Sequence, residues 1–140
     1  MAYDRNNIFA KILRGEIPCA KVFEDEHTLA FMDVMPQSDG HTLIVPKAEA
    51  ENIFELPADK LHALINTTQR IATAAKQAFN ADGITVMQFN GEAAGQTVFH
   101  IHFHVVPRYA GKPLREHGRG MADKAVLTQH AELLRQALSQ

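Results

Sequence analysis

Two spacings of hydrophobic residues divide the chain into helices and strands. A spacing of three and four residues predicts one long helix at about 58–79, directly after Pro57, which suits the first position of a helix. One face of this helix is expected to be buried and comprises Leu61, Leu64, Ile65, Thr68, Ala72, Ala75 and Phe79. A second, shallower apolar face lies outside that stripe and is formed by Ile71, Ala74 and Ala78. It favours a packing partner such as another subunit.

Two shorter helices are predicted near the ends of the chain. The first spans about 8–14, with the pair Asn6-Asn7 supplying an N-cap and Gly15 a C-cap. The second is amphipathic and covers about 126–138. It follows a segment at 109–120 that is rich in Gly, Pro and Arg and is predicted to be irregular.

Alternating polar and apolar residues predict the strands. Four of them lie at about 21–24, 28–33, 41–47 and 84–90, and turn-forming residues separate the first three. A fifth ends at Arg108. The predicted fold class is α+β, an antiparallel sheet of about five strands with the long helix on one face.

The fifth strand carries the candidate chemistry. His100, His102 and His104 alternate with apolar residues, so a strand would place the three imidazoles on one face, ~6.6 Å apart. The preceding segment, 95–98, contains a glycine, backbone N–H groups and the Thr97 hydroxyl. Such groups suit an anion such as phosphate.

Three interpretations of this histidine pattern are open. A solvent-facing strand with polar positions filled by histidine is the simplest. A metal site could use His100 and His102, although the next acidic residue, Glu116, lies beyond Pro107 and Pro113. In the third, one neutral imidazole attacks while its neighbours orient it and hold the charged group. The anion-suited segment in front of the strand favours the third.

Composition narrows the class of protein. The chain has 140 residues, which fits one domain, and 46% hydrophobic with 21% charged residues, as in ordinary globular proteins. A formal charge of −2 gives no reason to expect a nucleic-acid or membrane surface. Cys19 is the one cysteine, so no intrachain disulfide can form. Together with an N-terminus unlike a signal peptide, this predicts a cytoplasmic protein.

The sequence resembles a known family. The run His100-Ile101-His102-Phe103-His104-Val105-Val106 matches the signature of the histidine triad (HIT) nucleotide hydrolases and transferases, and 94–98 resembles their phosphate loop. The block from Phe31 to Lys47 resembles a second family motif. The resemblance covers about residues 6–108 and implies a single HIT domain over 1–140, with 109–140 as a tail and helix. It also implies a homodimer formed through the long helix and the strand after it.

The resemblance assigns residues to a purine nucleotide. Asp33 is expected to bind the ribose hydroxyls, since a carboxylate can accept two hydrogen bonds from a vicinal diol. His41 is expected to support the triad. Asn90 stands one residue after the position where many family members carry an Asn at the phosphate, and such a shift changes the face of a strand. The further nucleotide-binding positions implied are Phe9 and Ile12, which wall the base pocket, and Phe31, Val34, Gln96, Thr97 and Val98.

The resemblance also implies a mechanism. His102 is the expected nucleophile toward the α-phosphorus of an AMP-X substrate, giving a histidinyl-AMP that water then hydrolyses. It must be neutral, with its second ring nitrogen donating to an acceptor such as a backbone carbonyl. His104 is expected to hold a phosphate oxygen or the leaving group, and His100 to order its neighbours. Backbone N–H groups near Gln96 and Val98, with Thr97, are expected to meet the phosphate charge.

Metal and substrate predictions complete the set. Some family members bind a structural zinc through Cys-x-x-Cys, but this chain has Asn7-Ile8-Phe9-Ala10 there, so no metal ligand and no required cofactor are predicted. A divalent cation is left open for polyphosphate substrates. Asp33-Val34 resembles the phosphoramidate branch, whereas 94–98 and 105–108 resemble the diadenosine polyphosphate branch. Cations that could meet a charged leaving group follow the triad, at Arg108, Lys112, Arg115 and Arg119. A metal-dependent hydrolase and a non-catalytic nucleotide-binding protein are the alternatives.

Overall fold

The structure, a computed structural model, describes residues 3–116 and 120–140. Within them the strands pair antiparallel in the order β1-β2-β3-β5-β4, which confirms the predicted α+β class. No helix in this part of the chain combines the length and the apolar character that crossing a membrane requires. The elements are, in order, α1 (Ile8–Leu13), β1 (Lys21–Glu24), β2 (Thr28–Met32), β3 (Thr42–Pro46), α2 (Ala58–Ala78), β4 (Gly83–Met87), a 3-10 turn (Glu92–Ala94), β5 (Phe103–Arg108) and α3 (Lys124–Leu138).

One face of the sheet is covered by α2 and α3, and we call it the helix-covered face. The strands contribute alternate residues to it, because successive side chains of a strand point to opposite faces. Together with the buried side of α2 they form the main hydrophobic core, whose strand members include Ala30, Met32, Ile44 and Val105.

The buried surface of α2 differs from the predicted stripe. Ile71 is 0% exposed and Ala74 4%, and both belong to the main core. Ile65, predicted to be buried, is 45% exposed. The reason is that α2 packs against the sheet and α3 together, which buries a wider and rotated arc of the helix. The second apolar face is therefore filled by the chain itself. Pro57 is the N-cap of α2 rather than its first helical residue.

The opposite face of the sheet, which we call the site face, carries a smaller apolar cluster beneath α1. Asn7 begins α1, and its side chain accepts a hydrogen bond from the backbone N–H of Ala10 at 2.9 Å. The strand side chains of this face alternate with those of the main core, as the pleat requires. The buried members of the cluster are Phe9, Leu29, Phe31, Leu43 and Val45, with Ile12, Leu13, Cys19 and Val98 packed against them.

The strand that holds the triad is shorter than predicted. β5 begins at Phe103, so His100, in a bend, and His102 both precede it, and the predicted row of three imidazoles on one strand is wrong. The backbone N–H of Ile101 donates to the carbonyl of Ala50 in the connection after β3. The alternation of faces nevertheless holds, since Ile101 joins the main core with its neighbours at 103 and 105. β4 also stops early, at Met87 rather than residue 90.

Candidate active site

Four histidines and one aspartate are buried together beside the site face. His100 and His41 are 0% exposed, and the other two histidines, His102 and His104, only 7% and 8%. Asp33, at the end of β2, is 4% exposed. His104 pairs with Leu43 of β3, which places its side chain on the site face. Such burial of polar rings is costly unless each has a partner, so the partners define the site.

His102 is held by its own chain two residues earlier. Its Nδ1 lies 2.7 Å from the backbone carbonyl oxygen of His100. A carbonyl oxygen can only accept, so Nδ1 carries the hydrogen, and in the neutral ring Nε2 carries the lone pair. The ring also makes edge contacts, with centroids 4.8 Å from Phe9 and 5.0 Å from His104.

His104 and His41 form a chain of hydrogen bonds with a fixed direction. The backbone N–H of Gln37 donates to Nδ1 of His41 at 3.0 Å. The neutral His41 ring therefore carries its hydrogen on Nε2, which lies 3.0 Å from Nδ1 of His104 and 3.4 Å from a carboxylate oxygen of Asp33. When His104 accepts this hydrogen at Nδ1, its own hydrogen sits on Nε2. The two triad histidines then differ in chemistry, since Nε2 is an acceptor on His102 and a donor on His104.

His100 does not share this arrangement. Its Nε2 lies 2.8 Å from the carbonyl oxygen of Pro46, and its Nδ1 is hydrogen-bonded to the hydroxyl of Tyr3. Burial lowers the pKa of His100 from 6.5 to about 4, and nearby His102 adds to the lowering. The ring is therefore neutral near pH 7. Tyr3 gave no signal in the sequence, because a single tyrosine near the N-terminus has no periodicity to assign it.

The predicted nucleotide-binding residues of α1, β2 and the loop after it lie around the triad. The rings of Phe9 and Phe31 are 5.5 Å apart, and both belong to the site-face cluster that Ile12 and Val98 border. Asp33 accepts a hydrogen bond from the backbone N–H of Met35 at 2.8 Å. The structure thus brings together an apolar wall and a buried carboxylate.

In the loop before the triad, Gln96 makes hydrogen bonds within the protein. Its backbone N–H donates to the carbonyl of Gly91 at 3.0 Å, so this N–H already has an acceptor within the loop. The expected contact of phosphate with backbone N–H groups near Gln96 and Val98 stays a prediction. The Gln96 side chain, 3% exposed, ties the loop together by donating to Glu51 and Val98 carbonyls at 2.6 and 3.0 Å. Within residues 3–116 and 120–140, the Thr97 hydroxyl and the Val98 N–H have no hydrogen-bond partner. They are among the donors of this loop that remain for an anion.

Asn90, a predicted phosphate contact, makes side-chain hydrogen bonds within the protein. The Asn90 amide oxygen accepts from the backbone N–H of Ile53 at 2.8 Å, and its nitrogen donates to Gln88 at 2.8 Å. The preceding residue, Phe89, lies with its ring centroid 5.6 Å from that of His104. Phe89 was not among the predicted site residues, although it occupies the position, one before Asn90, where many family members carry an Asn.

One group of side chains has the composition of a metal site. Asp33, His41 and His104 offer ligand atoms that lie within 4.8 Å of one another. A metal ion at Nε2 of His41 would, however, move the ring hydrogen to Nδ1, facing the N–H of Gln37. The group is therefore arranged as a hydrogen-bonded chain. His100 and His102 do not form the predicted alternative metal pair, because both ring nitrogens of His100 already bond to Tyr3 and Pro46.

Comparison with known proteins gives relatives that span most of the chain. "Protein hit" of Bacillus subtilis (strain 168) is 42% identical over 127 residues, covering 91% of this chain and 82% of that protein. The adenosine 5'-monophosphoramidase hnt1 of Schizosaccharomyces pombe is 37% identical over 114 residues, 81% of this chain and 80% of the relative. The adenylylsulfatase HINT3 of Arabidopsis thaliana is 38% identical over 116 residues, 79% of this chain but 59% of the longer relative.

Solved structures share the fold. A Hit-like protein from Bartonella henselae, described as involved in cell-cycle regulation, has a TM-score of 0.91 at 48% identity, covering 97% of this chain and 99% of the other. A zinc-bound histidine triad family protein from Mycobacterium smegmatis has a TM-score of 0.85 at 37% identity, covering 96% and 94%. A model of the HIT domain matches residues 14–111. Together with the buried triad geometry, these matches show that the chain belongs to the HIT family.

Proposed function

We propose that this protein is a nucleotidyl hydrolase or transferase that cleaves AMP-X substrates at the α-phosphate, with His102 as the nucleophile. The observation that carries the proposal is the 2.7 Å bond from His102 Nδ1 to the carbonyl of His100. It fixes the tautomer in which Nε2 is the nucleophilic atom.

The proposed reaction has two displacements. Nε2 of His102 forms a bond to the α-phosphorus while the phosphorus–X bond breaks, and the electron pair leaves with X. His104, a donor at Nε2 when His41 donates to its Nδ1 at 3.0 Å, hydrogen-bonds X or a phosphate oxygen. Water then attacks the phosphorus, and the phosphorus–nitrogen bond breaks with its electron pair returning to Nε2 of His102. AMP leaves, the proton lost by water balances the one that X takes up, and the neutral His102 ring is restored. Thr97 and the Val98 N–H stabilise the charge on the phosphate oxygens.

The adenylyl group is proposed to bind along the site face. Asp33 accepts hydrogen bonds from the ribose hydroxyls, and the apolar wall of Phe9, Ile12 and Phe31 receives the base. Val34, which is 42% exposed beside Asp33, borders the same position. No metal cofactor is proposed for this chemistry, and a divalent cation enters only with polyphosphate substrates.

The substrate class is proposed to be broad. The names of two relatives, an adenosine 5'-monophosphoramidase and an adenylylsulfatase, share the adenylyl part and differ in the leaving group. This supports recognition of AMP by the site, with tolerance for X. Adenosine phosphoramidates and diadenosine polyphosphates are both proposed substrates. Arg119, one of the tail cations that could select the latter, lies outside the described residues.

A homodimer in the cytoplasm is proposed as the working form. β4 is an edge strand of the sheet, and Val86 on it is 46% exposed. Ile65 of α2 is 45% exposed. An unpaired strand edge beside exposed apolar side chains supports pairing with a second copy. Light scattering coupled to gel filtration measures the mass directly.

His102→Ala is the decisive test of the proposed function. We expect the variant to lose more than nine-tenths of wild-type turnover, a change above ~1.4 kcal/mol, because no other atom replaces the nucleophile. AMP is expected to bind with unchanged affinity. The assay measures AMP release from an AMP-amine conjugate and from diadenosine tetraphosphate side by side.

His62→Ala, at an exposed position on α2, is the matched control and should keep full activity. Turnover above a tenth of the wild-type rate in His102→Ala would contradict the nucleophile assignment. Wild-type protein that binds AMP but releases no product would favour the non-catalytic alternative.

A further inference from the structure

The first histidine of the triad is contacted by a residue from the far end of the chain. Tyr3 lies in the segment before α1, and its hydroxyl is hydrogen-bonded to Nδ1 of His100. The two rings also meet edge to face, with centroids 5.6 Å apart and an interplanar angle of 69°. The proposed reaction has no step for Tyr3, so the contact requires its own explanation.

The direction of this hydrogen bond follows from the other side of the ring. Nε2 of His100 lies 2.8 Å from the carbonyl oxygen of Pro46, which can only accept, so the hydrogen of the neutral ring is on Nε2. Nδ1 is then an acceptor, and the Tyr3 hydroxyl donates to it. The His100 ring, 0% exposed, is thus fixed at both nitrogens.

The same residue fixes the proposed nucleophile through its backbone. The carbonyl oxygen of His100 accepts from Nδ1 of His102 at 2.7 Å. If the His100 ring rotates or its backbone shifts, the orientation of the His102 ring therefore changes as well. We propose that Tyr3 is a positioning residue for His102, acting through His100.

The charged residues near Tyr3 are paired with other residues rather than with His100. The cavity beside it is also lined by Arg14, Lys47 and Glu49, whose charges are paired with Glu16, Glu24 and Arg5 respectively. Burial raises the pKa of Tyr3, which keeps its hydroxyl protonated as a donor. A phenylalanine at this position would preserve the ring contact and remove the hydroxyl, which also interacts with the Asn7 side chain.

Tyr3→Phe tests the proposal, with Tyr109→Phe as a matched control. The chain has two tyrosines, and the Tyr109 hydroxyl donates to the carbonyl of Phe79 at 2.6 Å, at the end of α2. Both variants lose the hydrogen bond of a tyrosine hydroxyl to a neutral acceptor, so the stability lost with that bond should be similar. We expect Tyr3→Phe to lower the rate of histidinyl-AMP formation about two- to tenfold, with the affinity for AMP unchanged. Tyr109→Phe should leave both unchanged.

Measuring the rate of histidinyl-AMP formation and the affinity for AMP separately distinguishes two roles of Tyr3. It either positions His102 or only holds the N-terminal segment in place. α1 carries Phe9 and Ile12, so if Tyr3 only held the N-terminal segment in place, its loss would weaken AMP binding. Weaker AMP binding with an unchanged rate of the covalent step would therefore overturn the proposal. Equal rates in Tyr3→Phe and wild type would overturn it too.

A spectroscopic measurement keeps the test independent of turnover. The effect on the rate rests on the proposed function, whereas the nitrogen NMR signals of the histidine rings do not. We expect Tyr3→Phe to move the Nδ1 signal of His100 and the Nδ1 signal of His102, and Tyr109→Phe to move neither. An unmoved His102 signal would contradict the coupling. If Tyr3→Phe moves both signals but wild type forms no product, the proposed function fails and the positioning contact stands.

Discussion

The two faces of the sheet are buried by different kinds of interaction. On the helix-covered face, Ile44, Val105 and Ile71 are all 0% exposed and make only apolar contacts that depend on shape and area. Beside the site face, His41 and His100 are equally buried, yet each depends on named partner atoms. An apolar side chain can be replaced by another of similar volume, but a buried imidazole cannot lose its partner without a cost. The first face stabilises the fold, and the second fixes the directions of hydrogen bonds.

The largest change is expected from a cavity in the core of the helix-covered face. Ile71→Ala should lower the free energy of unfolding by about 2–5 kcal/mol, because it leaves a cavity between α2 and the sheet. The kcat of the folded fraction should stay at the wild-type value. Urea unfolding and an assay at low denaturant measure the two quantities. Ile65→Ala on the same helix, 45% exposed, is the control and should change stability by less than about 0.5 kcal/mol. A larger loss in Ile65→Ala than in Ile71→Ala would contradict the assigned faces.

A second effect appears only beside the site face and depends on pH. Burial lowers the pKa of His100 from 6.5 to about 4, so between these values the unfolded chain binds more protons than the folded one. Stability from this group is therefore complete above about pH 6.5 and is lost as the pH falls toward 4, by about 3 kcal/mol. Urea unfolding at several pH values should show a shallower dependence in His100→Gln than in wild type.

The control for this pH dependence is His62→Gln, at an exposed position on α2. It should retain the wild-type slope. Equal slopes in wild type and His100→Gln would show that His100 titrates alike in the folded and unfolded states.

A third prediction sharpens the role of Asp33. If its carboxylate accepts the ribose hydroxyls, wild type should prefer AMP over 2'-deoxy-AMP by ~1.5–3 kcal/mol, the value of a hydrogen bond to a charged acceptor. Asp33→Asn should reduce this preference, and Asp59→Asn, at an exposed position in the first turn of α2, should not. Calorimetric titration with both nucleotides measures it. Equal affinities of wild type for AMP and 2'-deoxy-AMP would leave Asp33 with a purely structural role.

The smallest effect concerns the exposed tail. Arg115 pairs with Asp39, and Lys112 lies 5.8 Å from the ring centroid of Tyr109. Both side chains are exposed, so solvent screens their charges. Replacing Arg108, Lys112 and Arg115 by Gln should lower kcat/KM for diadenosine tetraphosphate relative to an AMP-amine, by less than about 1 kcal/mol per charge. The wild-type ratio should itself fall with added salt. An unchanged ratio in the triple variant would exclude a part for the tail in substrate choice.

Local sequence patterns were enough to predict the α+β class, the antiparallel strands and the alternation that turns Ile101 and Phe103 away from the histidines. These follow from short-range periodicity, which any stretch of chain carries in its own residues. The triad was identified by the same local pattern, and so was the N-cap at Asn7. The main signature by which the chain resembles the HIT family is likewise one continuous run, residues 100–106.

The buried arc of α2, the start of β5 and the contacts of each histidine depend instead on how distant segments pack together. The buried arc of α2 includes Ile71 because α3, from a distant part of the chain, packs on α2. The periodicity of α2 alone cannot show this. Gln37 and His41 determine which ring nitrogen of His104 carries the hydrogen, and Pro46 and Tyr3 determine it for His100. These partners are far from the triad in sequence. Hydrogen-bond direction depends on which atoms the fold brings within 3 Å, and that information lies between segments rather than within one.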